Sequence, residues 1–582
     1  MKHGYTVERN IQMLIYLMKA HDIKRVIASP GSCNVTFIAS LMNDSFFEIY
    51  SAPDERSAGY MACGLAAETE EPVVLSCTGA TASRNYIPGL TEAYYRKLPV
   101  LAVTSRQHQG QIGQYVPQVI DRTQPLNDIA NLSVQIPIVH DETDEWSVNV
   151  ALNRALLELR HRGGGPVHID LTTSYPFYPI DFSATELPPT RTIYRIEHGQ
   201  EMPEIKTSKI GIFVGNHLPM SDELIKEIDT FCQTYNAVVL CDHTSNYTGQ
   251  FGISASLVTS QDMYSAPCRK MDILLHIGQV SGAYMTFNPN EIWRINPDGE
   301  IRDTYRKLKY VFEMQEISFF RYYNAKATAL NENTYYQEWK SEYDNLFSKI
   351  GDLPFSNIWV ASETLHRLPE NCYLHLGILN SLRAWNFFPI RSDIKGFSNT
   401  GGFGIDGISS SLIGASLANK DKLHYEVIGD LAFFYDLNVL GNRHVAPNVR
   451  ILFINNGRGT EFRNYSNFAS KFGDEADWYF AAGGHYGKQS TELVKHYAED
   501  LGFEYMSASS KDEYLNHLDV FCSDKIWDKP IIFEVFTNPA EESEALYSIR
   551  NLEVSAETKV KQIVKNVIGD KGVQAIKKIL NK

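Results

Sequence analysis

The stretch Tyr425–Gly459, YEVIGDLAFFYDLNVLGNRHVAPNVRILFINNGRG, sets the reading of the whole chain. Two apolar runs, Tyr425–Ile428 and Val449–Ile454, have the composition of buried strands, and Phe433, Leu437 and Leu440 recur between them at helical spacing. The first run closes on Gly429-Asp430 and the second on Asn455-Asn456. In a parallel sheet both ends point to one edge, where open α/β folds bind their ligands. A carboxylate, an amide oxygen and a nearby backbone carbonyl are hard oxygen donors of the kind that hold Mg2+, which shares its other positions with phosphate oxygens and water. A helix opening after Asp430 would offer free N–H groups to the same phosphates. The stretch therefore predicts an edge that clamps a metal-bound diphosphate.

Working outward, the chain before this stretch alternates strand-like and helix-like segments. A helix over about Val7–Lys19 leads to a strand at Arg25–Ala28 and a tight turn at Ser29-Pro30-Gly31-Ser32. A strand ending near Ser51, a small-residue helix opened by Asp54-Glu55, a strand over Pro72–Cys77 running into Thr78 and another over Pro99–Thr104 complete a βαβ alternation, which implies a parallel, doubly wound sheet. The Pro-rich segment from about Tyr178 to Pro203 reads as a linker. A second α/β unit begins at Lys209–Val214; the glycine after that strand, Gly215, lacks a GxGxxG context and reads as a structural turn. Asn331–Lys349 is a polar helical connection, and a third α/β unit from about Ile358 to Asn538 contains the opening stretch. The expected organisation is three α/β domains, at residues 1–180, 205–345 and 355–540, followed by a lysine-rich amphipathic helix at 555–582. A basic amphipathic helix can lie on an anionic membrane; packing on its own protein, with the lysines in water, is the favoured expectation here.

Composition bounds the function. With 582 residues, 43% apolar and 21% charged, the chain reads as an ordinary globular protein of several cores. A net charge of −15 argues against a nucleic-acid-binding body, which needs a concentrated basic face. The eight cysteines show no CxxC and no Cys/His ligand spacing, so neither a zinc site nor a disulfide framework is indicated, and a reducing cytoplasm fits. The apolar run Met13–Met18 is too short to span a membrane and reads as the core face of the first helix.

The pairing of GD with NN at two strand ends resembles the cofactor signature of the thiamine diphosphate enzymes, and three α/β domains with this motif in the last resemble the pyrimidine, central and diphosphate order of their pyruvate oxidase-like members. The resemblance implies thiamine diphosphate and Mg2+ as cofactors. Asp430 and Asn456 would be side-chain metal ligands and Arg458 a carbonyl ligand; Gly429, Leu431 and Ala432 would lie against the diphosphate. Thr78, Gly404 and Ile405 would contact the rest of the cofactor, with Ile405 holding its two rings in a bent shape. Glu55, after the second strand, would be the acid that activates the aminopyrimidine ring, so that C2 of the thiazolium can lose its proton. In the family each cofactor lies between the first domain of one chain and the third of another, so a homodimer or tetramer is implied.

Longer runs, DERSAGYMACGLAA at Asp54–Ala67, EAYYRKLPVLAVTSR at Glu92–Arg106, GIDG at Gly404–Gly407 and GDLAFFYDLN at Gly429–Asn438, resemble the menaquinone-pathway branch that makes 2-succinyl-5-enolpyruvyl-6-hydroxy-3-cyclohexene-1-carboxylate. On the substrate side the chain departs from it. Cys33, Thr400 and Trp385 stand where that branch carries arginines, and neither Cys nor Thr can grip a carboxylate as a guanidinium does. Ser32, Arg106, Gln114, Gln118, Asn380, Ser381 and Arg383 remain as polar candidates for the pocket. The resulting expectation is a decarboxylase or carboligase that takes a small 2-oxo acid such as pyruvate and adds the acyl carbanion to an aldehyde or ketone. The synthase reaction itself and a non-catalytic cofactor-binding protein are the alternatives.

Overall fold

The structure is a computed structural model and describes residues 4–174, 180–327, 329–486 and 490–555. The chain divides into two compact units: Met1–Gln200 with Gly299–Glu313, and Glu201–Asp298 with the chain from Met314 onward. The expected helix at 555–582 lies outside the described residues apart from Ser555. Among the described residues no helix is long and apolar enough to cross a membrane. All eight cysteines carry free thiols, seven of them buried.

The first unit is built on six parallel strands, β1 (Arg25–Ala28), β2 (Glu48–Ser51), β3 (Val73–Cys77), β4 (Val100–Arg106), β5 (Leu132–Ile136) and β6 (Val167–Thr172). They lie in the order β2-β1-β3-β4-β6-β5. Both faces are covered: Val73, Leu75, Val100 and Ala102 join one core cluster, while Val74, Leu101 and Val103 join the other. This is why β3, β4 and β6 read as continuous apolar runs rather than alternating ones. The strand order reverses direction between β1 and β3, so their carboxyl ends border a crevice.

The segment expected to be a linker contains a strand, β7 (Tyr194–Glu197), parallel to β13 (Leu308–Glu313) of the same unit. Four short residues with one buried side chain carry too little pattern to announce a strand; the partner more than a hundred residues later makes it one. Residues Gly299–Glu313 cluster with the first unit.

In the second unit, β8 (Ile210–Val214), β9 (Ala237–Cys241), β10 (Gly252–Ser254), β11 (Lys270–Ile277) and β12 (Asn288–Ile295) run parallel in the order β10-β9-β8-β11-β12. Gly215 is the structural turn it was read as: a Cβ there would fall 1.9 Å from the carbonyl oxygen of Gln279. The connection after it forms a helix, Thr334–Phe347, that buries Tyr335, Trp339 and Leu346.

The same unit holds β14 (Tyr373–Leu376), β15 (Lys395–Phe397), β16 (His424–Gly429), β17 (Val449–Asn455), β18 (Glu504–Ala508) and β19 (Ile531–Phe536), parallel in the order β15-β14-β16-β17-β19-β18. The register Gly429↔Ile454 sets Asp430 level with Asn455, as the sequence required. The helix after Asp430 is shorter than its periodicity suggests: it spans Asp430–Tyr435 and gives way to a 3-10 turn at Leu437–Gly441. Between them Asp436 turns inward, accepting from the Ser410 N–H at 2.5 Å and the Ser410 hydroxyl at 2.7 Å, which stops the helix.

Glu426 on β16 is fully buried. It accepts from the Ser409 hydroxyl at 2.8 Å. Burial, aided by the charge of Asp436, pushes its carboxyl from 4.5 up to about 8. The folded state therefore holds a proton that the unfolded chain releases earlier, so this stabilisation is complete below about pH 4.5 and is lost as pH rises through about 8. Glu426→Gln is expected to flatten that dependence and raise the thermal midpoint at pH 8 by a few degrees; midpoint-against-pH curves that superimpose on wild type would exclude it.

Candidate functional site

Two sets of residues gather, one at the carboxyl edge of a sheet in each unit. In the second unit, Gly429 ends β16 and Asp430 begins the following helix; Asp430 is 5% exposed. One carboxylate oxygen accepts from Leu431 N at 2.7 Å, the other from Arg458 N at 2.9 Å. The second bond closes the gap between the two strand ends. Gly457, at φ +74, provides the left-handed turn that returns Arg458 toward Asp430. Asn456 Oδ1 accepts from the Thr460 hydroxyl, which also lies 3.4 Å from the Arg458 carbonyl. The loop is anchored from behind: Asn455 accepts from Gly457 N at 3.2 Å and donates to Glu534 at 2.6 Å, and Tyr505 donates to the other oxygen of Glu534 at 2.8 Å.

Burial pushes the Asp430 carboxyl up to about 6, against the backbone N–H groups that pull it down. A carboxylate so desolvated, with no cationic side chain bonded to it among the described residues, has the electrostatics of a cation ligand. Among the described residues no three His, Cys, Asp or Glu side chains converge, so a cation here would depend on one carboxylate, the Asn456 amide and a main-chain oxygen. That donor set fits Mg2+ and leaves positions for phosphate and water. One N–H expected for the diphosphate, that of Leu431, is engaged by Asp430 itself. Ala432 is buried beside Asp430. Ile405 packs half-buried on the core cluster that contains Ile428 and Ala432, and Gly404 precedes it in a turn where a Cβ would meet Asp406 at 2.3 Å.

In the first unit, Glu55 is the first residue of the helix Glu55–Thr69, capped by Asp54, which accepts from Ser57 N at 3.1 Å. Asn85 donates to Glu55 Oε2 at 3.3 Å. The neighbouring strand ends are knitted together. Cys33 N donates to the Thr78 hydroxyl at 3.4 Å, and the Thr173 hydroxyl donates to the carbonyls of Cys33 at 3.1 Å and Arg106 at 3.4 Å. Ser32, Cys33, Thr78 and Arg106 therefore share one edge with Glu55. Gln114 and Gln118 lie exposed on the loop after β4.

Arg106 is 3% exposed and forms an ion pair with Asp170 at 3.1 Å; Arg122, 5% exposed, pairs with the other oxygen of Asp170. Neither Arg122 nor Asp170 stood out in the sequence. The available signal was an aspartate inside the otherwise apolar strand run at Gly165–Thr172, since a buried carboxylate needs a cationic partner.

The substrate candidates of the second unit are more committed. Arg383 pairs with Glu461 at 2.9 Å and lies 4.5 Å from the ring centre of Tyr284, so its charge is already balanced. Asn380 faces the same Glu461: with its amide turned so that the nitrogen meets Oε2, it donates there at 2.6 Å and accepts from the Glu461 N–H at 3.0 Å. Ser381 is buried in the helix Asn380–Trp385. Trp385 is a core residue, donating to Asn357 Oδ1 at 3.0 Å. Thr400 is buried, with its hydroxyl 3.0 Å from Asn216 Nδ2.

Residues 10–125 match the family described as thiamine pyrophosphate enzyme, N-terminal TPP binding domain. The chain is 30% identical over 564 residues to the 2-succinyl-5-enolpyruvyl-6-hydroxy-3-cyclohexene-1-carboxylate synthase of Phocaeicola vulgatus, covering 93% of this chain and 98% of that protein. The same figures hold for the synthase of Bacteroides thetaiotaomicron, and that of Flavobacterium johnsoniae is 27% identical over 557 residues, covering 90% and 95%. Among solved structures, a thiamine diphosphate-dependent 4-hydroxybenzoylformate decarboxylase from Rhodococcus jostii RHA1 aligns over 91% of this chain and 99% of its own at 16% identity, with a TM-score of 0.39.

Proposed function

The chain belongs to the thiamine diphosphate-dependent enzymes, alongside the 2-succinyl-5-enolpyruvyl-6-hydroxy-3-cyclohexene-1-carboxylate synthases, and from that premise we propose that it is a Mg2+-dependent carboligase that decarboxylates a 2-oxo acid and joins the remaining acyl unit to an unsaturated or carbonyl acceptor. The observation that carries this reading is the closure of Asp430 onto Arg458 N, which gathers one carboxylate, one amide oxygen and one carbonyl at a single strand edge. Thiamine diphosphate, when bound, supplies the electron sink for the carbon that loses its carboxyl group. The C1–C2 bond of the 2-oxo acid breaks and C1 leaves as CO2; the electron pair kept at C2 forms the new bond to the acceptor, which takes up one proton.

The chain's own residues supply position and proton control. Asp430, Asn456 and Arg458 hold the metal; Glu55, steadied by Asn85, faces the proton exchange; Ile405 supports the cofactor from the core side. We assign a homodimer or a dimer of dimers, in which Glu55 of one chain works with Asp430 of another.

The product for which the relatives are named carries a succinyl group, which is what a five-carbon 2-oxo diacid leaves after losing CO2, and this favours a dicarboxylic donor. The second reading, a pyruvate-like donor, is favoured by Cys33, Trp385 and Thr400, none of which presents a cation. Purified protein with thiamine diphosphate, Mg2+ and a panel of 2-oxo acids decides between them by CO2 release. Turnover of 2-oxoglutarate at least tenfold above pyruvate is the expected result; the reverse order establishes the second reading, and no release from any 2-oxo acid removes both.

A further inference from the structure

Glu534 lies on β19 between two neighbours, level with Phe453 of β17 on one side and Ser507 of β18 on the other. Side chains alternate along a strand, so Asn455, two residues beyond Phe453, and Tyr505, two before Ser507, share its face. Each takes one oxygen of the carboxylate: Asn455 Nδ2 donates to Oε1 at 2.6 Å and the Tyr505 hydroxyl to Oε2 at 2.8 Å. Glu534 is fully buried, and both of these donors are neutral. A buried anion held in this way is costly. A strand made otherwise of Ile531, Ile532, Phe533, Val535 and Phe536 gives packing no reason to keep one.

What Glu534 settles is the direction of the Asn455 amide. The two ends of an amide are alike in size and opposite in bonding, and an ionised carboxylate accepts without donating. Burial pushes the Glu534 carboxyl up to about 7, against the pull of its two donors, so above that pH both oxygens are acceptors. Nδ2 of Asn455 is therefore drawn to Glu534, and Oδ1 is turned to Gly457 N, from which it accepts at 3.2 Å. This bond closes an Asx turn. The residue enclosed by the turn is Asn456, whose amide oxygen is assigned to the metal above. Gly457 leaves the turn at φ +74, and Arg458 N reaches Asp430 at 2.9 Å. With the acceptor removed, the Asn455 amide can rotate by half a turn and set its NH2 against the N–H of Gly457, which opens the turn. Tyr505 holds the second oxygen and keeps the carboxylate aimed at Asn455.

We propose that Glu534 is a positioning residue that fits the metal edge to Mg2+ rather than to a larger dication, by locking the Asn455 amide and through it the loop that carries Asn456 and Arg458. The inference rests on the Mg2+ and thiamine diphosphate reading above and adds to it a residue assigned to neither. Mg2+ is small and takes a near-ideal octahedron, whereas Ca2+ accepts longer and less regular contacts. Oxygens drawn from one strand end and one loop suit the smaller ion only while the loop keeps a single shape. A loosened turn costs Mg2+ its geometry and leaves Ca2+ able to adjust. The ratio between the two ions therefore reports the turn, which overall stability does not.

The test measures, at pH 8, the concentration of Mg2+ or of Ca2+ that half-saturates thiamine diphosphate uptake by calorimetry, alongside thermal melts of the metal-free proteins. In Glu534→Ala the Mg2+ requirement is expected to rise roughly 10- to 100-fold, the range for loss of a partner behind a metal ligand, while the Ca2+ requirement moves by less than about threefold. Glu534→Gln still offers an oxygen to Asn455 and can donate its NH2 to the Tyr505 hydroxyl, so both requirements should stay within about threefold of wild type. Because Glu534 acts through Asn455, the double variant Glu534→Ala with Asn455→Ala should bind Mg2+ no worse than the weaker single one. Tyr505→Phe, at a half-buried position, keeps the test open should Glu534→Ala fail to fold: its Mg2+ requirement should rise about threefold or more relative to Ca2+. Equal weakening toward both ions, in step with a lower melting midpoint, is the mark of a merely structural side chain and overturns the proposal. A Gln variant as impaired as the Ala one also overturns it, since charge and not position would then be at work, and so do additive effects in the double variant. Wild-type protein that takes up no thiamine diphosphate with either ion removes the cofactor reading and this inference with it; uptake in wild type with an unchanged ratio in Glu534→Ala, or in Tyr505→Phe where it stands in, removes the inference alone.

Discussion

Protein carrying Asp430→Asn is expected to lose more than about 100-fold in Mg2+-assisted uptake of thiamine diphosphate, while its metal-free form becomes more stable above pH 6 rather than less. Both effects come from one buried carboxylate. Without a cation, burial lifts its pKa from 3.8 to about 6, so its contribution to stability is full below pH 3.8 and is lost as pH rises through about 6. By pH 8 the ionised group is a desolvated charge that costs on the order of 3 kcal/mol. The amide removes that cost and with it the reason for a dication to bind. Calorimetric titration and thermal melts of the same samples read the two effects separately. Uptake within threefold of wild type would remove Asp430 from the metal site, and a melting midpoint that falls at pH 8 would show that its carboxylate is held by contacts other than the backbone N–H groups of Leu431, Asn456, Gly457 and Arg458.

Glu55→Gln carries the second large effect, a loss of roughly 10^2- to 10^4-fold in kcat, the range that a positioned proton-transfer group supplies. Its side chain leaves the first turn of a helix capped by Asp54, and the amide keeps the size, so the helix and the Asn85 contact stay in place. Cofactor uptake should remain within a few fold, because the diphosphate and metal are held elsewhere. A variant that turns over within threefold of wild type would exclude Glu55 as the activating acid. The two inactive proteins also serve together. If each site takes Glu55 from one chain and Asp430 from another, mixing Glu55→Gln with Asp430→Asn protein under subunit exchange returns about a quarter of wild-type activity, since half the dimers are mixed and each has one intact site. No recovery after verified exchange would place both residues of a site on the same chain.

The two strand ends of the opening stretch were legible because their signal is local: two apolar runs, each closed by polar residues, in a register that the structure keeps. The helix between them was over-read, because Asp436 finds Ser410, a partner that no helical spacing encodes. The same distinction separates Glu55, marked by its position after a strand, from Arg122, which has no pattern of its own and acquires meaning only from Asp170, 48 residues further on. Arg383 was visible as a charge but not as a balanced one; Glu461 lies 78 residues away. Trp385, at a position where an arginine was looked for, is simply interior, as its size and lack of charge would suggest.

The pairing of β7 with β13 has a practical corollary. The chain leaves the first unit after Gln200, re-enters it at Gly299 and leaves again after Glu313, so no single cut yields that unit entire. A recombinant fragment ending at residue 200 would carry β7 without its neighbour and present a raw edge to solvent, an invitation to aggregate. Workers wishing to isolate the Glu55 half must graft Gly299–Glu313 back by a designed linker or by supplying it as a separate peptide.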